Sequence, residues 1–315
     1  MDTLTHALIG ANIAGLAGHS ISMTDPVFLG PVLASMAPDL DIVMQVKGDL
    51  AYIKSHRGIS HSLPSLLILS GIITVFLHSI LPTSVPVTTL FAVTAAGALS
   101  HSLFDMLNSY GVKLLWPLYR SKVTCSILSL VDWFIIAFSL ITVAAGAYHP
   151  NAYWCWTAVI TGYLLYRKWT AKRMGLFLAR SFRGDGVQKV VVMPARFQIF
   201  LWDFLLETRG QFVIGTIHSF SLGTKILRQL KKTKDNLFIK AALESKLGKL
   251  FREFTPHFYV MHKKKGCSHL VQFTDLRYYN RNDFMHTGTV FLDEQFCAIE
   301  QVFQPYNRNH RVIVG

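Results

Sequence analysis

Two long apolar runs, residues 62–81 and 87–108, stand out along the chain. Each is close to the ~20 residues that a helix needs to cross a bilayer. Two more follow at 129–147 and 152–166, the last one short for a span. Ahead of them, residues 4–17 and 27–43 are apolar but brief, and Pro31 and Pro38 interrupt the second. That pair reads either as tilted spans or as the two arms of a re-entrant hairpin. Beyond residue 166 the period changes. Short stretches at 212–220, 257–262, 270–274, 289–292 and 297–303 predict strands, and 237–251 predicts an amphipathic helix. The expected fold is mainly α, with a polytopic membrane domain of four to six apolar helices over residues 1–166 and a small α+β domain over 167–315.

Composition sharpens this division. Of the 315 residues, 51% are hydrophobic and only 16% charged, and the mean hydropathy is +0.35, too apolar for an ordinary soluble enzyme. The net charge of +13 is uneven: residues 1–166 hold six Lys/Arg and seven Asp, and the other 25 Lys/Arg follow with 11 Asp/Glu. Before Arg167, basic residues occur in two places, Lys47, Lys54 and Arg57 ahead of the third segment and Lys113, Arg120 and Lys122 between the fourth and fifth. Cytoplasmic loops are enriched in Lys and Arg, so six segments with both termini inside fit the distribution and place the basic domain in the cytoplasm. Arg167, Lys168, Arg173, Arg180 and Arg183 form a juxtamembrane stretch suited to anionic headgroups. The lipid bilayer is the expected partner; a nucleic-acid partner is not expected despite a pI near 9.7, because no recognition fold accompanies the charge. Cys125, Cys155, Cys267 and Cys297 show no CxxC spacing and are expected to be reduced, structural thiols. The start MDTLTHALIG lacks a basic n-region and a cleavage site, so no removable signal peptide is expected.

The candidate chemistry sits in a few short stretches: His6, Asp39 and Asp41 in APDLD, His56 and His61 in HRGISH, and His101 and Asp105 in HSLFD. All lie at the ends of apolar segments, where a bare charge is costly unless something pairs or coordinates it. The expected topology puts every one at the cytoplasmic end, together with Asp132 near the start of the fifth segment. Independent positions would not gather on one face, so a single membrane-embedded metal site is expected. His101 and Asp105, at i and i+4, share one helix face. Mixed His and Asp ligands without Cys suit zinc first, then manganese or iron(II). His6, Asp41, His56, His61, His101 and Asp105 are the candidate ligands, and a carboxylate not used as a ligand, Asp39 or Asp132, is the candidate general base. Eight groups exceed the roughly four to six ligands of one ion, so either two ions share the site or some residues act as base or outer-sphere partners. Arg57 has two readings, a clamp on an anionic substrate group or a positive-inside anchor. Metal-assisted hydrolysis is the natural reaction class. There is no GxSxG, Walker A, HExxH or GxGxxG motif. His19, His78 and His149 read as loop or interfacial residues, and Asp275 with Arg277 as either a salt bridge or a substrate-selecting pair.

MDTLTHALIG, APDLD, HRGISHS, HSLFDMLNSYGVKLLWP and LVDWFII, in this order, resemble the bacterial inner-membrane-associated, metal-dependent hydrolase family, some members of which are LexA-regulated. MPARFQIFLWDFL and FTDLRYY extend the resemblance into the second half. It implies a multi-pass protein of the bacterial inner membrane and a divalent-metal cofactor. The family motifs fall on His6, Asp39, Asp41, His56, His61, His101, Asp105 and Asp132. The family usually has proline after the aspartate that matches Asp132, whereas Trp133 follows here. The hydrolase label rests on the ligand pattern and names no substrate.

The leading expectation is a membrane-bound metallohydrolase acting at the cytoplasmic face on a phosphoester or lipid-linked substrate. A metal-ion or solute transporter using the same cluster would place ligands at both faces or at mid-depth. A scaffold with a structural metal is the third reading.

Overall fold

The computed structural model describes residues 1–196, 198–266, 268–280, 283–306 and 310–314, with the backbone alone at Lys54, Lys265 and Asn280. Its first part is helical: α1 (Thr3–Leu16), α2 (Pro26–Met36), the short α3 (Asp49–Ser55), α4 (Leu63–Ile80), α5 (Val87–Met106), α6 (Trp133–Gly146) and α7 (Asn151–Ser181). Among the described residues three helical segments are long and apolar enough to cross a membrane, Pro26–Lys47, Leu63–Ile80 and Val87–Met106. On α4 the residues Leu66, Ser70, Thr74 and Leu77 face inward, while Ile68, Ile72, Val75 and Phe76 are exposed, the pattern of a helix with one face on lipid.

Two compact units divide the chain. Met1–Val43, Ser55–Arg173 and Met193–Trp202 form the first, and Met44–Lys54, Met174–Val192 and Asp203–Gly315 the second. In the first unit α2 is the hub, flanked by α1, α4 and α5. Small residues permit this approach: a Cβ on Gly10 of α1 or on Gly97 of α5 would collide with the Pro31 backbone of α2. Backbone contact at that level brings the start of α1, the end of α2 and the end of α5 together, and these carry the candidate site.

In the second unit β1 (Val187–Pro194), β2 (Leu201–Thr208), β3 (Gln211–His218) and β4 (Thr224–Lys231) make a sheet in that order. The helices α8 (Leu237–Glu244) and α9 (Lys246–Phe254) pack on a five-stranded sheet of order β11-β10-β9-β6-β5, built from β5 (Phe258–Lys265), β6 (Ser268–Asp275), β9 (Thr287–Leu292), β10 (Ala298–Gln304) and β11 (Val312–Ile313). A short ribbon of β7 (Tyr279–Asn280) and β8 (Asp283–Phe284) interrupts the order along the chain. Phe251, Phe273 and Phe303, with Val271 and Val290, form the core between helices and sheet.

The mainly helical part followed by a small α/β domain agrees with the sequence pattern, and five of the strands lie where alternation placed them. Three differences have physical causes. The helix expected to end at 166 runs on to Ser181 as α7, because the change there is from apolar to basic residues and no proline breaks the helix. The single helix expected over 237–251 is two, since Ser245 takes an extended conformation and its hydroxyl caps α9 at the Gly248 N–H (3.1 Å). The pattern predicts neither β1, β2 and β4 nor the two-residue β7, β8 and β11; β4 is largely exposed and so lacks the apolar alternation that marks a half-buried strand. Cys125, Cys155 and Cys297 are free thiols, and exposed rather than packed in a core, while Cys267 lies outside the described residues.

Candidate metal centre

The site begins where α2 ends. Past Met36 the chain tightens into a 3-10 segment, Ala37–Lys47. In that register the Ser35 carbonyl would look to residue 38, and Pro38 has no N–H to offer. His101 Nδ1 of α5 donates to that carbonyl instead, at 2.6 Å. This bond fixes the proton on Nδ1 and turns the Nε2 lone pair of His101 inward.

His61, in the short 3-10 turn Ile59–His61, is set by a parallel device. The Ser60 hydroxyl donates to Asp41 Oδ2 (3.2 Å), and a carboxylate can only accept, so Ser60 Oγ must accept from His61 Nδ1–H (2.9 Å). His61 Nε2 therefore also presents a lone pair. The two Nε2 atoms lie 3.0 Å apart, and two neutral rings with their protons on Nδ1 have none to share there. Burial holds the His61 pKa below its ordinary value against the pull of Asp39 and Asp41, so the ring is neutral at physiological pH. Two lone pairs this close repel unless a cation lies against both.

Carboxylates surround this point. Asp39 Oδ1 is 3.7 Å from His61 Nε2 and 3.6 Å from His101 Nε2; Asp105 Oδ2 is 3.7 and 3.9 Å from the same atoms. One ligand atom from each of Asp39, His61, His101 and Asp105 lies within 4.8 Å of the others. Asp39, Asp41 and His56 meet the same limit, so Asp39 belongs to both groups. His56 Nδ1 is held by Asp41 Oδ1 at 2.8 Å. His6 stacks on His101 with ring centroids 3.8 Å apart, and its Nε2 lies 3.4 Å from Asp105 Oδ1. Its ring is fully buried and neither nitrogen makes a hydrogen bond. An orphaned buried imidazole is what a missing cationic partner leaves behind. The donor set, imidazole and carboxylate without thiolate, fits a divalent ion of the zinc, manganese or iron(II) kind.

Arg57 and Asn108 brace the arrangement. Arg57 adopts φ 57°, the left-handed region, and its backbone N–H donates to Asp41 Oδ2 (3.1 Å). Its buried guanidinium pairs with Asp105 (Nε to Oδ2 2.9 Å), donates to Asn108 Oδ1 (2.8 Å), and lies over the Tyr110 ring. A headgroup anchor would be exposed; this guanidinium is instead the counter-ion of Asp105. Asn108 Nδ2 donates to Asp105 Oδ1 (3.3 Å), and its Oδ1 accepts from the Tyr110 N–H (2.8 Å). The Met1 amino group also pairs with Asp105.

His6, Asp39, Asp41, His56, His61, His101 and Asp105 thus come together, with Arg57 among them. Asp132 stands outside both ligand groups. It is the N-cap of α6, accepting from the Ile135 N–H (3.3 Å), and it accepts from the Tyr163 hydroxyl (3.0 Å). Trp133 fills the first helical position where the family usually has proline, and the helix start is intact. Ser60, Asn108 and the Ser35 carbonyl were not singled out from the sequence, although Ser60 adjoins His61 and Asn108 lies three residues past Asp105. Elsewhere, Asp275 and Arg277 form a buried salt bridge (Nη2 to Oδ2 2.8 Å). His262 and His269 satisfy each other (2.9 Å) beside Phe238.

Comparison with known proteins adds the lineage. Residues 237–311 match the YfhP C-terminal alpha/beta plait domain. Over 224 residues the chain is 27% identical to the uncharacterized protein YfhP of Bacillus subtilis (strain 168), covering 68% of each. No solved structure matches. Residues 1–174, which hold every one of the converging ligands, match the YdjM inner membrane protein family, and with more than half its length so matched the chain belongs to that family.

Proposed function

We propose that the cluster is a divalent-metal site, zinc ahead of manganese or iron(II), and that the protein is a membrane-bound metal-dependent hydrolase acting on a phosphoester or lipid-linked substrate. One observation carries the reading: two buried imidazoles with their Nε2 atoms 3.0 Å apart, each Nδ1 engaged by a partner outside the site. His61, His101, Asp105 and His6 would hold one ion, and Asp41 with His56 a second, with Asp39 beside both groups and not counted among the ligands. A bound ion supplies Lewis acidity towards a phosphoryl oxygen and acidifies water.

The chain's own residues supply the rest. Asp39 is the most accessible of the three site carboxylates, with a side chain 15% exposed against 6% for Asp41 and 0% for Asp105, so it is the group placed to take a proton from water. Ser35, through its carbonyl, and Ser60 keep the His101 and His61 protons off the reacting side. Arg57 and Asn108 hold Asp105 in place, which limits its freedom to swing away from the ion. Asp132 shapes the start of α6. The distribution of Lys and Arg supports a cytoplasmic placement of the site and of the basic domain.

The test is metal content and turnover on the same purified, detergent-solubilised chain. Wild type should retain a stoichiometric divalent metal, His101→Ala should lose it, and a panel of aryl phosphoesters and phospholipids should show metal-dependent hydrolysis that His101→Ala abolishes. Full metal occupancy with no turnover on any substrate in the panel would remove the hydrolase reading and leave a structural metal.

A further inference from the structure

Between α5 and α6 the chain makes an excursion whose outer half the metal chemistry does not use. Val112 and Val123 exchange backbone hydrogen bonds at 3.1 and 2.9 Å, closing residues 113–122 into a loop. Gly111, at φ 68°, passes so close to the Val123 carbonyl that no Cβ would fit. The loop's base is tied to the metal-site segment: the Lys113 N–H donates to the Arg57 carbonyl (3.2 Å) and Lys122 Nζ to the His56 carbonyl (3.0 Å). The Leu63 N–H, at the first residue of the membrane-crossing α4, donates to the Leu114 carbonyl (3.0 Å). The loop is therefore level with the end of a membrane span.

Its tip is apolar and open. Leu115 is 45% exposed, Leu118 95% and Tyr119 51%. Two site segments add to the same character: Ile42, beside Asp41, is 54% exposed, and Ile59, between Arg57 and His61, 52%. Along the loop itself the charge has one sign. No Asp or Glu occurs between Asp105 and Asp132, while Lys113, Arg120 and Lys122 flank the tip. An apolar tip at the end of a span, flanked along the chain by cations, complements an anionic lipid interface: the hydrocarbon takes the tip and phosphates meet the basic flank.

We propose that residues 113–122 are a lipid-docking loop that inserts into the bilayer interface beside the metal centre, and that the phosphoester reaching that centre is a membrane lipid or lipid-linked molecule arriving along this surface. The second half rests on the hydrolase reading; the first does not.

The experiment separates them. The full chain, with its four cysteines replaced by serine and Leu118→Cys labelled with an environment-sensitive fluorophore, is reconstituted into phosphatidylcholine vesicles with and without phosphatidylglycerol. The label should emit at an apolar wavelength and be quenched by lipids brominated near the headgroup, as expected for a side chain about 5–10 Å into the interface, and more strongly with phosphatidylglycerol. If the cysteine-free chain does not fold, Leu118→Trp in the native chain gives the same readout as extra bromolipid quenching over wild type. Emission at the aqueous wavelength overturns the proposal, and so does shielding that no lipid quencher reaches and that disappears when the protein is diluted in the bilayer, which marks a second copy of the chain. Leu118→Asp should lower hydrolysis of vesicle phospholipid about tenfold, the loss expected for one unburied leucine, and leave a short-chain soluble phosphoester unchanged. Equal loss on both substrates refutes the substrate assignment while the label still reports docking. If neither substrate is turned over by wild type, the hydrolase reading fails and takes the substrate assignment with it, and the docking result stands by itself.

Discussion

Ser60→Ala tests the tautomer argument directly. The hydroxyl accepts from His61 Nδ1–H at 2.9 Å and donates to Asp41 Oδ2 at 3.2 Å, and it touches no candidate ion position except through these two residues. Alanine removes both bonds. A neutral hydrogen bond contributes about 1 kcal/mol and one to a carboxylate somewhat more, but the second loss is softened because the Arg57 N–H still donates to Asp41 Oδ2 (3.1 Å). The expected cost is about 2 kcal/mol in metal binding, or roughly thirtyfold in affinity, within the range found when an outer-sphere partner of a metal ligand is removed. Competition against a chromophoric zinc chelator on detergent-solubilised protein reads the affinity, and circular dichroism confirms that the helices remain. Ser60→Thr, which keeps the hydroxyl, should stay within a few-fold of wild type. If Ser60→Ala binds metal as tightly as wild type, the proton on His61 is not where this network puts it, and the lone-pair opposition with His101 loses its force.

Two further outcomes concern the second unit. Arg277→Met removes the ion-pair partner of the fully buried Asp275 carboxylate and leaves it the Thr255 hydroxyl (3.0 Å); Arg277 now holds its pKa below the ordinary value although burial alone would raise it. Breaking such a pair should cost about 3–5 kcal/mol, read as a lower thermal midpoint of the full chain by circular dichroism, and an unchanged midpoint would refute a structural role. Burial pushes the Asp203 pKa up to about 7. The folded chain then binds a proton that the unfolded chain releases, so this group's contribution to stability falls as pH rises from about 4 towards 7 and is flat above. Asp203→Asn should therefore raise the thermal midpoint at pH 8 and not at pH 4; equal shifts at both values would contradict the assignment. The buried His286, with its pKa lowered to about 4, produces a slope of the opposite sign below neutrality, so the difference between variant and wild type is the quantity to compare.

How much of this was legible beforehand differs by residue. His101 and Asp105 announce themselves through i,i+4 spacing inside an apolar run, because an uncompensated polar pair there has no cheap explanation. Asp132 looked the same in one dimension, yet its carboxylate is spent on the α6 N-terminus and Tyr163. A helix cap and a metal ligand use the same side chain at the same kind of boundary, and only distance tells them apart. The sequence allows Arg57 as clamp or anchor; its left-handed backbone, which turns the guanidinium inward to Asp105, has no signature in the letters HRGISH. The break at Ser245 leaves no mark in the sequence because an amphipathic pattern tolerates one extended residue without losing its apolar face.

The order of apolar runs, the late rise in positive charge and the His and Asp positions at segment ends are properties of the chain alone, since each follows from transfer free energies that act residue by residue. They were enough to establish a helical membrane part, a small α/β domain and a set of candidate ligands. Which of those ligands converge, and in which protonation state, depended on contacts between residues far apart in the chain. Gly10 and Gly97 closing on Pro31, and a carbonyl orphaned by Pro38 meeting His101, are such contacts. Hydrogen-bond direction and the separation of two lone pairs exist only once those contacts form, so the tertiary structure alone could turn a list of ligands into a centre.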